Sequence, residues 1–389
     1  MSLISPENEP ADFPFAPGPD GQLPPEYAQR QATDPLGSVR MPSRETVILA
    51  TRYDDVRAIL SDPRFSRYLP NPDTGQPLGP TDTVGTDDWF LNLDPPEHAR
   101  LRRIVSKAFT PQQLERWRPR IRQIAADLLN ELTQSPARAD LIVGYALPLP
   151  ARTIHELLGI PQIDRTHSPA WSLPPGPRRF ETYVAEIIAA RRHQPAQGLL
   201  NNLIEAHHEG KQLDDIELNK MVRMLLRTGT ATISTTIGRG VYALLRHPEQ
   251  FTAICSDPTL LSNAVEEILR LELPGDGSTI RVATENIELP SGNVQKGMGV
   301  LPIISAANRD ERHFELPNNL DIRRTHNQHI AFGCGPHHCL GAHLARMELQ
   351  EAIGSLAERL PTLRLAIDPE QITWTSGISH GIRHLPVSW

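Results

Sequence analysis

The stretch Phe332-Gly333-Cys334-Gly335-Pro336-His337-His338-Cys339-Leu340-Gly341 decides how this chain is read. Behind it, Leu340, Leu344, Met347, Ile353 and Leu356 recur at roughly helical spacing, so a helix begins just past Cys339 and turns its positive dipole end toward the sulfur. A free thiol is mostly protonated near neutrality, and a metal, a helix N-terminus or donated backbone N–H groups stabilise the anion. Gly333, Gly335 and Gly341 allow tight backbone turns close to a flat ligand, and Phe332 can shield the sulfur from water. The combination suits a thiolate bound to haem iron. Cys334 lies off this position and Cys255 falls in a connecting segment before Asp257-Pro258, so both read as structural.

Composition narrows the classes. The 389 residues carry a formal net charge of -7 and a pI of about 6.1, which argues against nucleic acid as the main partner. Three cysteines fit a reducing cytoplasm better than a disulfide scaffold. No apolar run reaches the roughly 18 residues a spanning helix needs, and the N-terminus lacks a basic-then-apolar signal pattern. The expectation is a soluble, cytoplasmic chain with no membrane partner.

Along the chain, the proline-rich segment from Met1 to about Pro25 is expected to lie extended on the surface. Thr46 to Ala50 reads as a strand, helical patterns dominate from Asp94 to about Leu271, and short strands are expected at Asn286 to Leu289 and Met298 to Ile304. There is no internal repeat and no flexible linker. The fold class is mainly α, a large helical part with a smaller β-rich part, in a single domain over residues 1–389.

The pattern F-x-x-G-x-x-x-C-x-G, met here at every fixed position, resembles the haem-binding signature of the cytochrome P450 superfamily, and the chain looks like its soluble bacterial type. The resemblance implies haem b with Cys339 as axial thiolate and Phe332 beside it. Glu267 and Arg270, three apart, share a helix face and can pair; spacing alone suggests a solvated bridge. Their position resembles the family's E-x-x-R motif, which implies a buried network supporting the haem loop. Ala307-Asn308-Arg309-Asp310 also resembles the family's segment between that motif and the cysteine.

Asp94-Pro95-Pro96-Glu97 reads as a helix start with Asp94 as N-cap, Pro95 first and Glu97 third. His98 and Arg102 then share a face, and the string resembles the family's helix crossing the haem edge. By the same match, His98, Arg102, Arg281 and His337 are implied to hold the haem propionates. Arg100, Arg103 and Lys107 on the same helix are either a solvated face or a docking surface for an acidic redox protein. No flavin or iron–sulfur domain follows Trp389, so a ferredoxin or flavodoxin and its reductase are the expected electron donors to a monomer.

The distal side departs from the family. Met224 to Thr232 aligns with the pattern [AG]-G-x-[DE]-T: Gly229 and Thr232 match, Ala231 takes the acid's place and Thr228 that of the small first residue. In the family the acid and threonine relay protons during dioxygen activation, so here protons must come by another route or not at all. A branch resembling fungal nitric oxide reductases also has alanine at this position. Arg227 could bind an anionic substrate group, or reach solvent or pair with an acid. The run of hydroxyls from Thr228 to Thr236 modestly favours a polar substrate. Pro174, Pro175 and Pro177 interrupt the segment between Trp171 and Tyr183 where the family carries a longer covering helix, leaving room for a bulky or carrier-tethered substrate. By family position, substrate contacts fall to Arg227, Thr228, Thr279 and Ile378.

The expected function is oxidation of a small organic substrate in bacterial specialised metabolism by a monooxygenase with Thr232, Gly229 and Ala231 at its distal site. The alternatives are oxidative coupling, peroxygenase chemistry, nitric oxide reduction, or a non-enzymatic haem sensor.

Overall fold

The computed structural model describes residues 10–67, 89–134, 137–160, 177–196, 198–208, 213–276, 279–375 and 380–389. Among them run thirteen α-helices: α1 Pro25–Thr33, α2 Tyr53–Ser61, α3 Glu97–Ser106, α4 Pro111–Glu115, α5 Arg118–Leu132, α6 Pro148–Leu158, α7 Pro177–His193, α8 Leu199–His208, α9 Asp215–Arg246, α10 Pro248–Ser256, α11 Leu261–Leu271, α12 Ile304–Ala307 and α13 Ala342–Arg359. The strands are β1 Ala11–Asp12, β2 Ser38–Arg40, β3 Thr46–Ala50, β4 Phe65–Ser66, β5 Arg138–Asp140, β6 Arg281–Ala283, β7 Ile287–Leu289, β8 Gly292–Val294, β9 Gly299–Pro302, β10 Arg364–Leu365 and β11 Pro386–Ser388. The mainly helical class with a smaller sheet part is what the sequence leads one to expect.

The longest helix, α9, starts from a capping box in which Asp214 and Glu217 each bond the other's backbone N–H, at 2.7 and 3.0 Å. It contains no proline, and its apolar residues Leu226, Ile237 and Leu244 join Leu128, Ile268 and Ile353 of α5, α11 and α13 in one core. Burying each such side chain contributes roughly 1.5–3 kcal/mol. The main sheet runs β1-β2-β3-β9-β6-β4. Its β6 lies between β9 and β4 and pairs antiparallel to β9 with Arg281 opposite Val300.

Two local expectations are corrected. The N-terminal segment is extended over Ala11–Asp12, yet Phe13 and Phe15 are buried with Tyr27 rather than lying on the surface, because edge-to-face ring packing gives these aromatics an apolar site. Asp94 does not cap α3: the helix opens at Glu97 with Pro96 before it, two residues later than the proline pattern suggested. The Asp94 carboxylate instead receives the Ser66 hydroxyl and, at 2.9 Å, the backbone N–H of Arg67. That bond joins the end of β4 to the start of α3.

Candidate active site

The loop ahead of α13 folds on itself. The Cys339 N–H donates to the Phe332 carbonyl at 2.8 Å, and the Gly333 N–H to that of Ile330 at 2.8 Å. Gly333 and Gly335 have φ of 66° and 71°, the left-handed region in which a side chain is strained. At Gly335 a Cβ would also stand 2.6 Å from the Leu60 carbonyl, so the loop packs directly on α2. Cys334 is anchored there, its sulfur taking the Ser61 hydroxyl at 3.2 Å, as befits a structural cysteine. Gly341 has an ordinary φ of -86° and acts as N-cap of α13, and Cys339, two residues before it, lines a cavity. Burial pushes the Cys339 thiol up, against the Gly341 backbone and the guanidinium groups of Arg102 and Arg346, which favour the anion.

Two polar networks hold this loop. Glu267 and Arg270 are fully buried and pair bidentately at 2.7 and 2.8 Å. Arg270 also donates to the carbonyl of Asn308 at 2.9 Å, and the Asn308 side chain takes the Ile330 N–H at 2.8 Å. The pair expected from spacing as a bridge is thus a buried tie from α11 to the cysteine loop. The second network escaped the sequence reading: Glu266 grips Arg346 of α13 at 2.7 and 3.0 Å and His329 at 3.0 Å, and Arg346 lies 4.6 Å over the Phe332 ring. Burial would raise the Glu266 carboxyl, but His329 and Arg346 overcome it and hold it down at about 2.

The cavity, about 440 Å³, runs from Cys339 past Arg281 and His337 to Thr228, Gly229 and Thr232 of α9. On one side basic groups crowd together. His98 is 1 % exposed, its ring 4.0 Å from that of His337 and 4.9 Å from Phe90. Burial, then Arg102 and Arg67, push the His98 imidazole down to about 4. Burial, then Arg67, His98, Arg281 and Arg102, push His337 down to about 2. Burial lowers Arg281 to about 10 and also lowers Arg102. Arg67, which no motif in the sequence singled out, belongs to this cluster. Within it His98 Nε2 and Arg281 Nε are buried with no hydrogen-bond partner among the described residues. Asp94 bears on the cluster, but its carboxylate already serves β4. Such a wall suits a flat ligand carrying carboxylates, which would answer the orphaned donors and relieve the mutual repulsion.

Comparison with known proteins decides the family. The description "Cytochrome P450" matches residues 255–371. Nocardicin C N-oxygenase of Nocardia uniformis subsp. tsuyamanensis is 38% identical over 97% of this chain and 98% of its own length. Cytochrome P450 monooxygenase PikC of Streptomyces venezuelae is 38% identical over 94% of this chain and 90% of its own. Among solved structures, the putative thioether synthase SgvP of griseoviridin tailoring superposes with a TM-score of 0.91 at 35% identity, covering 98% of this chain and 100% of that one. The chain belongs to the cytochrome P450 family. It is an oxidoreductase, a P450 monooxygenase, and membership implies a haem-thiolate cofactor.

In this P450 the sequence-predicted residues divide. Cys339, Phe332, Arg102, Arg281, His337, Thr228, Gly229, Thr232 and Thr279 line one cavity, with His98 stacked behind His337. Thr279 holds a buried hydroxyl with no hydrogen-bond partner among the described residues. Arg227 is exposed and is not among the described residues lining that cavity, and Ala231 is likewise exposed outside it. Ile378 and most of the shortened segment from Trp171 lie outside the described residues.

The α9 hydroxyls are occupied within the helix. Thr228, Thr232 and Thr236 each donate to the carbonyl four residues back, at 2.8, 2.8 and 2.9 Å. Their polarity therefore adds little to the cavity, whose lining is chiefly apolar, with Leu91, Ile154, Met224, Leu225 and Leu273 among it. On α3, Arg100 is paired with Glu217 of the α9 capping box, leaving Arg103 and Lys107 exposed. Among the described residues, no helix is long and apolar enough to cross a membrane.

Proposed function

We propose that this P450 binds haem b through the Cys339 thiolate and oxidises a small, largely apolar organic substrate of bacterial specialised metabolism. The observation that carries the reading is that the cysteine loop, the basic wall and Thr232 share one cavity. His98, Arg102, Arg281 and His337 hold the propionates, and Arg67 joins them. When bound, the haem supplies reductive activation of dioxygen, with electrons from a separate ferredoxin or flavodoxin and its reductase. Exposed Arg103 on α3 and Lys107 just past its end suit an acidic donor. Arg346 and the Gly341 backbone favour the anionic form of Cys339, and Phe332, held by Arg346, keeps water from the sulfur.

On the distal side Thr228 and Thr279 face the substrate, and Gly229 leaves α9 room beside it. The Thr232 hydroxyl, donating to Thr228, presents its lone pairs to the cavity and can order a water. Ala231 stands where the family's acid does, so α9 supplies no carboxyl for proton relay. That substitution also supports a second reading, oxidative coupling or another atypical oxidation. The chain works as a monomer in the cytoplasm, and the short segment after Trp171 admits a carrier-tethered substrate.

Two measurements test this. The reduced carbon monoxide complex shows the red-shifted band of thiolate ligation, and Cys339→Ser loses it; a wild-type protein without that band overturns the assignment. A ligand screen following the haem spin-state change identifies the substrate class. Turnover with surrogate ferredoxin and reductase supports monooxygenation, whereas turnover with peroxide alone, or with nitric oxide and reduced nicotinamide, overturns it.

A further inference from the structure

Between α11 and β6 the cavity wall includes a buried carboxylate that the haem site does not use. Asp276 is 0 % exposed and lines the same cavity as Cys339, Thr228 and Thr232. Its backbone carbonyl takes the Ser305 N–H at 3.0 Å and the Ser305 hydroxyl at 2.8 Å, which ties the loop to α12. Its Oδ2 receives the Tyr27 hydroxyl of α1 at 2.8 Å and meets Nε2 of His380 at 3.0 Å. Burial, and then the charge of Asp276, raise the Tyr27 hydroxyl well above its ordinary value, so Tyr27 stays a donor. A carboxylate oxygen only accepts, so His380 donates through Nε2, and its Nδ1 is buried with no hydrogen-bond partner among the described residues.

Both donors therefore fall on one oxygen. The other, Oδ1, has only the Ser305 hydroxyl at 3.5 Å, whose single proton already serves the backbone carbonyl. Among the described residues the one ion-pair partner of Asp276 is His380, and an imidazole with its one ring proton on Nε2 brings no charge. Glu272, another acid lining the cavity, is taken by Arg239 at 2.8 Å. A buried carboxylate with one bare oxygen and no counter-charge is costly unless a ligand completes it. Three residues on, and so at most about 11 Å away along the chain, Thr279 lines the same cavity with its unpartnered hydroxyl. Phe13, Leu273, Leu301 and Ile303 make apolar surface in that cavity.

We propose that Asp276 anchors a basic nitrogen of the substrate: a largely apolar molecule bearing a protonated amine, whose N–H bonds Oδ1 while Thr279 offers a second hydrogen bond. A protonated amine supplies both what Oδ1 lacks, a donor, and what the carboxylate lacks, a counter-charge; a neutral hydroxyl or amide supplies only the first. Tyr27 and His380 are positioning residues that hold Oδ2 and leave Oδ1 for the ligand. The inference rests on the small-substrate reading above and narrows its substrate class.

Three ligands sharing an octyl chain test this on the full-length, haem-loaded protein at pH 7. N,N-Dimethyloctylamine is a cation with an N–H, N-octylacetamide donates an N–H without charge, and nonanoate is an anion. Affinities are read from the haem spin-state change and, separately, by calorimetry. The amine is expected to bind roughly tenfold or more tighter than the amide, with nonanoate weakest. Its spectrum moves toward high spin rather than toward nitrogen-ligated iron, because the nitrogen is held at Asp276. Asp276→Asn still offers Tyr27 and His380 an oxygen and is expected to lose the preference for the amine, whereas Thr279→Val weakens amine and amide alike. An amine bound no tighter than the amide, a nitrogen-ligated spectrum, or an Asp276→Asn protein that keeps the preference overturns the proposal. Equal carbon monoxide bands and melting temperatures show that a variant is folded. Should Asp276→Asn fail that check, Asp276→Glu decides: it retains the charge and should retain the preference, and losing it overturns the anchor. Loss of the carbon monoxide band in the wild type would sink the haem-thiolate reading, while the calorimetric ranking would still decide the anchor.

Discussion

The Arg346 guanidinium lies 4.6 Å over the ring of Phe332, and Phe332 is the residue whose carbonyl receives the Cys339 N–H. Glu266 fixes the fork of Arg346 at 2.7 and 3.0 Å, so a helix far from the cysteine in sequence sets the position of the loop around it. Arg346→Ala removes the cation over the ring and strips Glu266 of its main partner, a loss of about 1–3 kcal/mol. The expected outcome is a lower melting temperature and a smaller share of the red-shifted carbon monoxide band. Arg346→Lys recovers charge without the bidentate fork and falls between the two. The Glu266 carboxyl is held at about 2, below its ordinary value, so its stabilisation is complete above about 4.5 and disappears as pH falls toward 2. Acid-unfolding curves of wild type and Glu266→Gln should therefore converge below that window; a constant gap down to pH 2 would contradict the pairing.

Arg270 makes a sharper case, because its charge has no access to water. It is 0 % exposed, pairs with Glu267 and donates to the carbonyls of Asn308, Pro317 and Asn319. Arg270→Ala leaves Glu267 buried with its remaining partners Arg324, Asn327 and the backbone N–H of Asp321, and the expected loss is about 3–5 kcal/mol. Soluble yield and denaturant midpoint measure it. A variant that melts within a degree or so of wild type would show that the tie from α11 to the cysteine loop is dispensable.

What was legible in the sequence follows from how far apart the interacting residues lie. The cysteine loop and the Glu267–Arg270 pair are each written in one short string, where spacing carries the contact but not the burial of the pair, which spacing alone read as solvated. Asp94 was misread because its true partners, Ser66 and Arg67, come before it on another element, and local pattern favoured a helix cap. Phe13 and Phe15 looked like surface among prolines until Tyr27 gave them a ring to pack on. Glu266 looks like an ordinary glutamate on a helix, and only tertiary packing gives it Arg346.

The basic wall predicts an acid sensitivity that haem should suppress. Burial, and then the protein's own neighbouring cations, hold His98 and His337 down at about 4 and about 2, below the ordinary imidazole value near 6.5, so they resist protonation that the unfolded chain accepts. Between pH 6.5 and 4 the unfolded state binds more protons, and stability falls as pH drops. Carboxylates placed against the wall raise both imidazoles toward normal and flatten that slope. Melting temperatures of haem-free and haem-loaded protein from pH 7 to 4 check this. The gap should widen on acidification, whereas parallel curves would place the propionates elsewhere.

Gly229 tests the cavity from the α9 side. An alanine there would bring its Cβ to 3.2 Å from both the Cδ1 and the Cγ1 of Ile154, a side chain that itself lines the cavity. Inside a helix, alanine is favoured over glycine by roughly 0.5–1 kcal/mol. A small shift of Ile154 costs less than an overpacked core residue with no room to move, which is about 1–3 kcal/mol. Gly229→Ala should therefore melt at or slightly above the wild-type temperature. Its cost falls on binding: Ile154 yields into the cavity, so bulky ligands give a weaker spin-state change while small ones are little affected. Adding Ile154→Val returns the volume and should restore the response to bulky ligands. A Gly229→Ala protein that loses several degrees of stability, or binds large and small ligands alike, would mean that α6 and α9 do not set the width of the site.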